Sequence, residues 1–333
     1  MRILAFNVQP YEEKAFVKWA KDNDIEIFVQ EIVPGFDDCM LTYDYYIDRV
    51  TTQQVIPVKD EAVFDKLKEF GIKQIASRTA GVDMFGLDMA REREIAITNV
   101  PRYSPNAIAE LAVSHTMQLL RNVNRIRNAM SKGDFSWNKE LISREIRSCT
   151  VGIIGTGKIG LTTAQLFKGL GAKIIGYDKF RNPDAEGVLE YKDTVEELLK
   201  ESDVVSLHLP LNDETYHLID KEKIDMMKKG AILINTGRGA LVNIEDVIDA
   251  LESGKLSGAG IDVLECETIY VNQKIDVNNI KDTEVEKLMN MENVVLTGHF
   301  AFFTETAVDN LVSTALDNIR IQVETDEIRN CMN

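Results

Sequence analysis

The sequence predicts an α/β protein of two domains, one of them a doubly wound parallel sheet. Three observations predict it. At 333 residues the chain exceeds what one hydrophobic core usually serves. Short apolar runs alternate with amphipathic helical stretches along most of its length. In mid-chain, Val151-Gly-Ile-Ile-Gly155-Thr156-Gly157-Lys158-Ile159-Gly160 sets a G-x-G-x-x-G turn between an apolar run and a helix, and Asp178 ends the next apolar run. Glycines at that spacing let a backbone approach a pyrophosphate, the helix N-terminus offers free N–H groups, and the carboxylate suits ribose hydroxyls. A dinucleotide site over Gly155–Gly160 and Asp178 is therefore expected, with the residues that precede it holding a second ligand.

Taken in order, the first hundred residues give strands at Arg2 to Phe6, Ile25 to Val29, within Tyr45 to Gln53, Ile72 to Ser77 and Ile95 to Asn99, with a helix over Glu61 to Phe70. Ser104-Pro105 is a helix start, and the stripe Ile108, Leu111, Ala112, Leu119 makes the following helix a candidate connector between domains. From Thr150 six strands are expected near 150–154, 173–177, 203–208, 231–235, 258–262 and 293–297, separated by helices such as Val195 to Glu201 and Ile244 to Ser253. The acidic stretch Asn278 to Glu292 reads as a solvated excursion. Residues after Thr304 are helical to about Val323; unable to extend the sheet, they are expected to return to the first domain. The resulting division is 1–102 with 300–333 as a substrate (catalytic) domain, and 103–299 as the nucleotide-binding domain.

Composition narrows the partners. Against 38 basic side chains stand 54 acidic ones, a net charge of −16, which argues against nucleic acid or an anionic membrane surface. An anionic substrate then needs local arginines to reverse the field. The cysteines at 39, 149, 266 and 331 form no C-x-x-C and give no metal-ligand spacing, so a reducing cytoplasm and no metal are expected. The opening Met1-Arg-Ile-Leu-Ala-Phe-Asn-Val turns polar too early for a signal peptide, and no apolar run approaches membrane-spanning length.

Ligands of open α/β sheets sit at the carboxyl ends of strands. Those ends carry His208-Leu209-Pro210, Asn235-Thr236-Gly237-Arg238-Gly239, Asp262-Val-Leu-Glu265-Cys-Glu267 and Gly298-His299. An arginine, a carboxylate and a histidine beside a nicotinamide are the groups that 2-oxo acid reduction needs: a cation for carboxylate and carbonyl, a proton donor, and an anion that favours the protonated imidazole. Glu265 and Glu267 compete for the anion's role. His299 is the favoured acid, His208 a candidate cofactor contact, and His115 and His217 read as structural or exposed. Asp178 favours NAD over NADP, although Lys179 and Arg181 lie close by.

On these residues the chain resembles the D-isomer-specific 2-hydroxyacid dehydrogenases, in particular the branch acting on D-lactate and D-2-hydroxyisocaproate. The resemblance covers nearly the whole length and rests on Arg78-Thr-Ala80-Gly81-Val-Asp83, Asn99-Val-Pro-Arg-Tyr103-Ser-Pro-Asn-Ala-Ile-Ala-Glu110, the nucleotide turn, Asn235 to Gly239, Asp262 to Glu267, and His299-Phe-Ala-Phe302-Phe-Thr-Glu-Thr-Ala307. It implies a flavodoxin-like substrate domain beside a Rossmann-type NAD domain, a homodimer, and a substrate cleft between the domains. Arg238 is then the substrate arginine, Glu267 the histidine's partner and His299 the acid/base. The resemblance further puts the substrate carboxylate on the backbone of Ala80 and Gly81, with Arg78 nearby and Tyr103 in contact. Gln53 would line the side-chain pocket, or Arg49 in a shifted register, with Phe302 as another wall. His208, Leu209, Pro210, Thr236 and Gly237 would border the cofactor, and Asp262 would face its carboxamide. One departure is Gly298, where the family commonly has proline. D-lactate activity is expected first. Alternatives are an enzyme of the 2-hydroxyisocaproate or phenyllactate type, one of the 2-hydroxyglutarate type, and an NAD-sensing interaction protein like the related corepressors. Phosphoglycerate or formate dehydrogenases fit less well.

Overall fold

The computed structural model describes residues 2–30, 49–52, 59–82, 84–281 and 283–333. Among these, the chain divides into two compact units, 1–104 with 303–333, and 105–302. The division falls two or three residues beyond the expected 102/103 and 299/300. One boundary sits where the helix Pro105–Leu120 begins; the other keeps Phe302, whose ring meets that of His299 edge-on, in the second unit.

The first unit is a parallel sheet of β1 (Arg2–Phe6), β2 (Glu26–Gln30), β3 (Arg49–Thr52), β4 (Gln74–Ser77) and β5 (Ala96–Thr98) in the order β2-β1-β3-β4-β5. That is the flavodoxin-like order. Every residue of β4 and β5 is buried, as a strand covered on both faces requires. Phe64 and Leu67 of the helix Glu61–Glu69 pack on Phe6, Ile75 and Ile97. The helix Glu305–Thr325, capped by Thr304, belongs to this unit. Trp19 donates to Asp317 at 3.1 Å, and Asn318 donates to the Asn99 carbonyl at 2.9 Å. The segment after it also touches the sheet of this unit. Cys331 forms an antiparallel bridge with Thr98, flanked by the bonds Asn99 N to Asn330 O (3.1 Å) and Met332 N to Ile97 O (2.9 Å). A parallel-strand pattern could not signal this, because the tail pairs antiparallel and covers an otherwise open edge.

The second unit is a seven-stranded parallel sheet: β6 (Thr150–Ile154), β7 (Lys173–Tyr177), β8 (Glu190–Tyr191), β9 (Val204–Leu207), β10 (Ala231–Asn235), β11 (Leu256–Ile261) and β12 (Val294–Leu296), in the order β12-β11-β10-β9-β6-β7-β8. The two-residue edge strand β8 is too short to leave a pattern. Successive residues of the central strands face opposite layers. Val151, Ile153, Val204, Ile232 and Ile234 join Ala164 and Phe167 on one face, while Ile154, Val205, Leu207 and Leu233 join Leu198, Val247 and Leu251 on the other. The stretch 278–292 is less solvated than its charge suggests. It contains the helix Glu284–Asn290, which buries Val285 and Leu288.

The helix Pro105–Leu120 is no free connector. It lies on this sheet, with Ala107, Ala109, Ala112 and His115 buried. Close approach explains why: a Cβ at Gly258 would stand 2.9 Å from Leu119 Cδ2, and one at Gly260 would stand 2.7 Å from His115 Cβ. No helix among the described residues is long and apolar enough to cross a membrane.

Candidate active site

The three glycines of the turn after β6 meet three different demands. Gly155 has φ +92°, and a side chain there would strike the His208 carbonyl at 2.4 Å; a Cβ at Gly160 would lie 1.8 Å from the Gly155 carbonyl oxygen. These two close the turn and seat the helix Lys158–Gly169 on the sheet. Gly157 faces open space, with nothing within 4 Å of its Cβ position, and no side chain caps the helix it precedes. An open cradle at an uncapped helix N-terminus fits a pyrophosphate.

Across the turn, Asp178 Oδ2 accepts from the Thr156 N–H at 2.6 Å, and Asp178 Oδ1 from the Phe180 N–H at 3.0 Å. The neighbouring cations are already engaged, Lys179 with Glu214 at 2.8 Å and Arg181 with Asp193 at 2.6 Å. That leaves the carboxylate to set the local charge and favours an unphosphorylated ribose. Thr156 itself is buried and shares a 2.7 Å hydrogen bond with the Tyr191 hydroxyl, so its backbone rather than its side chain shapes the turn.

After β9, the His208 imidazole pairs with Ser206 Oγ at 2.9 Å, and burial pushes its pKa down to about 3. Its Nδ1 and the hydroxyl of Thr236 are buried polar atoms without partners, consistent with a site completed by a bound cofactor. Leu209 is partly buried and Pro210 exposed. Asn235 braces the next loop in both directions, accepting from Gly237 N at 3.1 Å and donating to Arg238 O at 2.9 Å. Arg238 projects from this loop, half-buried, with one bond to the Gly237 carbonyl at 2.9 Å. The following Gly239 is sterically enforced: a Cβ would stand 2.1 Å from the Leu264 carbonyl carbon. The arginine loop and the turn carrying Glu267 are thus packed backbone to backbone.

That turn resolves the competition between the two glutamates. Glu267 Oε1 lies 2.8 Å from His299 Nδ1, and its Oε2 accepts from Leu264 N at 3.2 Å. Glu265 instead pairs with His217 Nε2 at 3.0 Å and accepts from the Tyr216 hydroxyl at 3.2 Å. A carboxylate only accepts, so His299 carries its hydrogen on Nδ1 toward Glu267 and keeps Nε2 for chemistry.

Asp262, expected to face the cofactor's carboxamide, is a buried carboxylate with several protein donors. It is 1 % exposed, with Oδ1 accepting from Thr297 Oγ1 and Phe300 N, and Oδ2 from Ala301 N at 3.0 Å. These bonds hold the turn that carries His299.

In the first unit, Arg78 departs from its expected place near a substrate. Its side chain is fully buried and bonds Glu12 at 2.8 Å, with further bonds to the carbonyls of Phe6 and Asn7, while its guanidinium lies over Phe16. Such an arginine is a structural ion pair. Beside it, Thr79 Oγ1 donates to Gly81 O and Asn99 to Ala80 O, both at 2.6 Å. Among the described residues the N–H groups of Ala80 and Gly81 form no hydrogen bond. Tyr103 is half-buried and its carbonyl accepts from Asn310. Gln53 lies outside the described residues, as does the side chain of Arg49.

The sequence profile of the D-isomer specific 2-hydroxyacid dehydrogenase NAD-binding domain matches residues 113–301, more than half of the chain. The chain belongs to the D-isomer-specific 2-hydroxyacid dehydrogenases. Its second unit is accordingly the family's NAD-binding domain. A D-2-hydroxyacid dehydrogenase (NAD(+)) of Clostridioides difficile is 43% identical, with all of both chains covered. A D-lactate dehydrogenase of Streptococcus pyogenes serotype M1 is 43% identical over 95% of each. Among solved structures, the NAD-complexed 2-hydroxyacid dehydrogenase of Lactobacillus delbrueckii ssp. bulgaricus superposes with a TM-score of 0.91 at 38% identity, covering both chains in full. D-2-hydroxyisocaproate dehydrogenase superposes with a TM-score of 0.91 at 34% identity, again covering all of both chains. Sequence reasoning missed Asn235, Gly239 and Thr297 as supports of this dehydrogenase site. The first two carried a signal, since Gly239 directly follows Arg238 and Asn235 ends the strand that leads into its loop.

Proposed function

We propose that the protein is an NAD-dependent D-lactate dehydrogenase, reducing pyruvate with NADH to D-lactate, with Arg238, Glu267 and His299 as its reacting groups. The observation that carries this reading is the 2.8 Å pair between His299 Nδ1 and Glu267 Oε1, next to the loop that bears Arg238. Bound at Gly155–Gly160 and Asp178, the cofactor would supply the hydride. Arg238 holds the substrate's carboxylate and polarises its carbonyl, and His299 Nε2 delivers a proton to the oxygen as it gains charge. Glu267 fixes the imidazole's orientation and balances its charge. Ala80 and Gly81 offer free N–H groups to the substrate carboxylate, and Tyr103 and Phe302 bound the substrate. Asp262 Oδ2 has one protein donor and keeps a lone pair for a carboxamide. Relatives named D-lactate dehydrogenase support the choice of pyruvate.

The protein acts as a cytoplasmic homodimer in this reading. Cys149, Cys266 and Cys331 are free thiols, which suits a reducing compartment. Trp137 is wholly exposed, with Phe135, Ile142 and Met130 around it, and no residue of the helix Val123–Ser131 is buried. Residues 121–147 carry seven basic and three acidic side chains, a balance of +4 in a chain of −16, so this apolar segment would be drawn to the acidic body of a second copy.

Steady-state kinetics with NADH on pyruvate, 2-oxoisocaproate, phenylpyruvate, oxaloacetate and 2-oxoglutarate test the substrate. Pyruvate is expected to give the highest kcat/KM and a D product. Preference for a dicarboxylate or a bulky acid would reassign the substrate, and tight NADH binding without any turnover would favour an NAD-sensing protein. Light scattering on the intact chain tests the dimer.

A further inference from the structure

We propose that Thr297 and His115 are positioning residues for His299, acting through the buried carboxylate of Asp262. The inference rests on His299 as the proton donor.

The backbone at His299 is unusual. Its φ is +61°, in the left-handed region that residues with a Cβ rarely occupy, so something must hold it there. The glycine before it does not. Gly298 has no left-handed φ, and a Cβ there would meet nothing closer than the Phe300 ring at 3.7 Å. No steric requirement explains a glycine at this position, and its presence loosens the chain where the proton donor must be fixed. The restraint comes from Asp262. Its carbonyl accepts the His299 N–H at 2.7 Å, and its carboxylate takes the next two N–H groups, Phe300 at 2.8 Å and Ala301 at 3.0 Å. Three successive amides of the turn therefore end on one buried residue.

What orients that carboxylate lies behind it. Thr297 Oγ1 bonds Asp262 Oδ1, and His115 Nε2 stands 3.4 Å from Thr297 Oγ1. Donor inventory fixes the directions. The carboxylate has no hydrogen to give, so the threonine's single hydroxyl hydrogen points to Asp262 and its oxygen accepts from His115 Nε2–H. This assigns the tautomer and leaves His115 Nδ1 as the atom without a partner, as observed. Gly260 makes room for the arrangement: a Cβ there would lie 3.1 Å from His115 Nδ1. The chain His115, Thr297, Asp262 thus runs from a helix laid across the sheet to the turn bearing His299. The side-chain bonds of this chain reach neither Glu267 nor Arg238.

The test uses Thr297→Val, which keeps the shape and removes only the hydroxyl. Loss of alignment of this kind should lower kcat for pyruvate reduction about tenfold while KM for NADH changes by less than about twofold. The isotope effect with 4-deuterated NADH should rise as the chemical step becomes limiting. Thr297→Ser should restore kcat, and His115→Gln, which keeps a donor, should be milder than His115→Leu. Gly298→Pro placed in the Thr297→Val enzyme is the decisive arm, because a proline restricts the turn without using the hydroxyl. It should recover much of the lost kcat. Wild-type kcat in Thr297→Val, or a loss there that tracks loss of folded protein and is not recovered by proline, overturns the proposal. His299→Gln run in parallel separates the two readings. Full turnover in that variant removes His299 as the acid, whereas its inactivity beside a normal Thr297→Val enzyme removes only the positioning role.

Discussion

One short turn supplies a glutamate to each of two histidines, and the two pairs are built differently. Glu267 meets His299 through Nδ1, at 2.8 Å, whereas Glu265 meets His217 through Nε2, at 3.0 Å. The nitrogen used decides what is left over. With Nδ1 committed, His299 keeps the outer Nε2 for a substrate; His217 keeps only the nitrogen next to its own backbone. Surroundings reinforce the contrast. The His299 turn is held by a buried aspartate, and the Glu267 side chain is 21% exposed, against 49% for Glu265. The ring of His217 lies stacked on Tyr216 at 4.0 Å, closing its face. The same two residue types make a proton-transfer pair in one place and a surface brace in the other.

The contrast breaks most directly by exchanging the histidines one at a time. His299→Gln is expected to lower kcat for pyruvate reduction by about a thousandfold or more, while His217→Gln stays within about threefold. Equal losses would erase the distinction. The two arginines extend the comparison. Arg238→Gln should abolish turnover and leave the melting temperature alone, whereas Arg78→Leu strands Glu12 in the core and should destabilise the fold by about 3–5 kcal/mol in denaturant titration.

The remaining two histidines sharpen the picture through pH. Burial lowers the pKa of His115 to about 4 and of His208 to about 3. Both stay neutral in the fold while the unfolded chain binds protons below about pH 6.5, so their stabilisation is full above that pH and is lost as it falls. His115→Gln should therefore flatten the decline between pH 6.5 and about 4, by about 3 kcal/mol at the acid end. Urea midpoints of the two proteins across that range measure it, and parallel curves would contradict the assignment. A smaller effect is expected at Gly239→Ala, which pushes the arginine loop off the Glu267 turn. A loss of kcat of about tenfold, with both pairs still formed, is anticipated.

Much of this could be read from the sequence because it is written in local pattern. The glycine turn, Asp178, and the polar residues at strand ends follow from the two-residue period of strands and from the special backbone needs of glycine. Arg78 could not be judged that way. Its place in a family motif suggested a ligand contact, yet its partner is Glu12, far away in the chain, and the pair is visible only when β1 and β4 flank β3 in one sheet. Thr297, a single hydroxyl at the end of an apolar run, gave no signal, and His115 read only as structural or exposed; their contact is visible only when the helix lies on the sheet. The tail bridge at Cys331 was invisible for a related reason: one antiparallel contact has no period.

The sequence by itself determined the fold class, the nucleotide turn and the rim on which Arg238, Glu267 and His299 stand, because these depend on spacing along the chain. Tertiary structure alone decided which glutamate serves which histidine, which arginine is free to act, and how His299 is held in a left-handed turn. Those outcomes depend on distances of about 3 Å between residues far apart in the chain, where hydrogen bonding selects one partner over its neighbour.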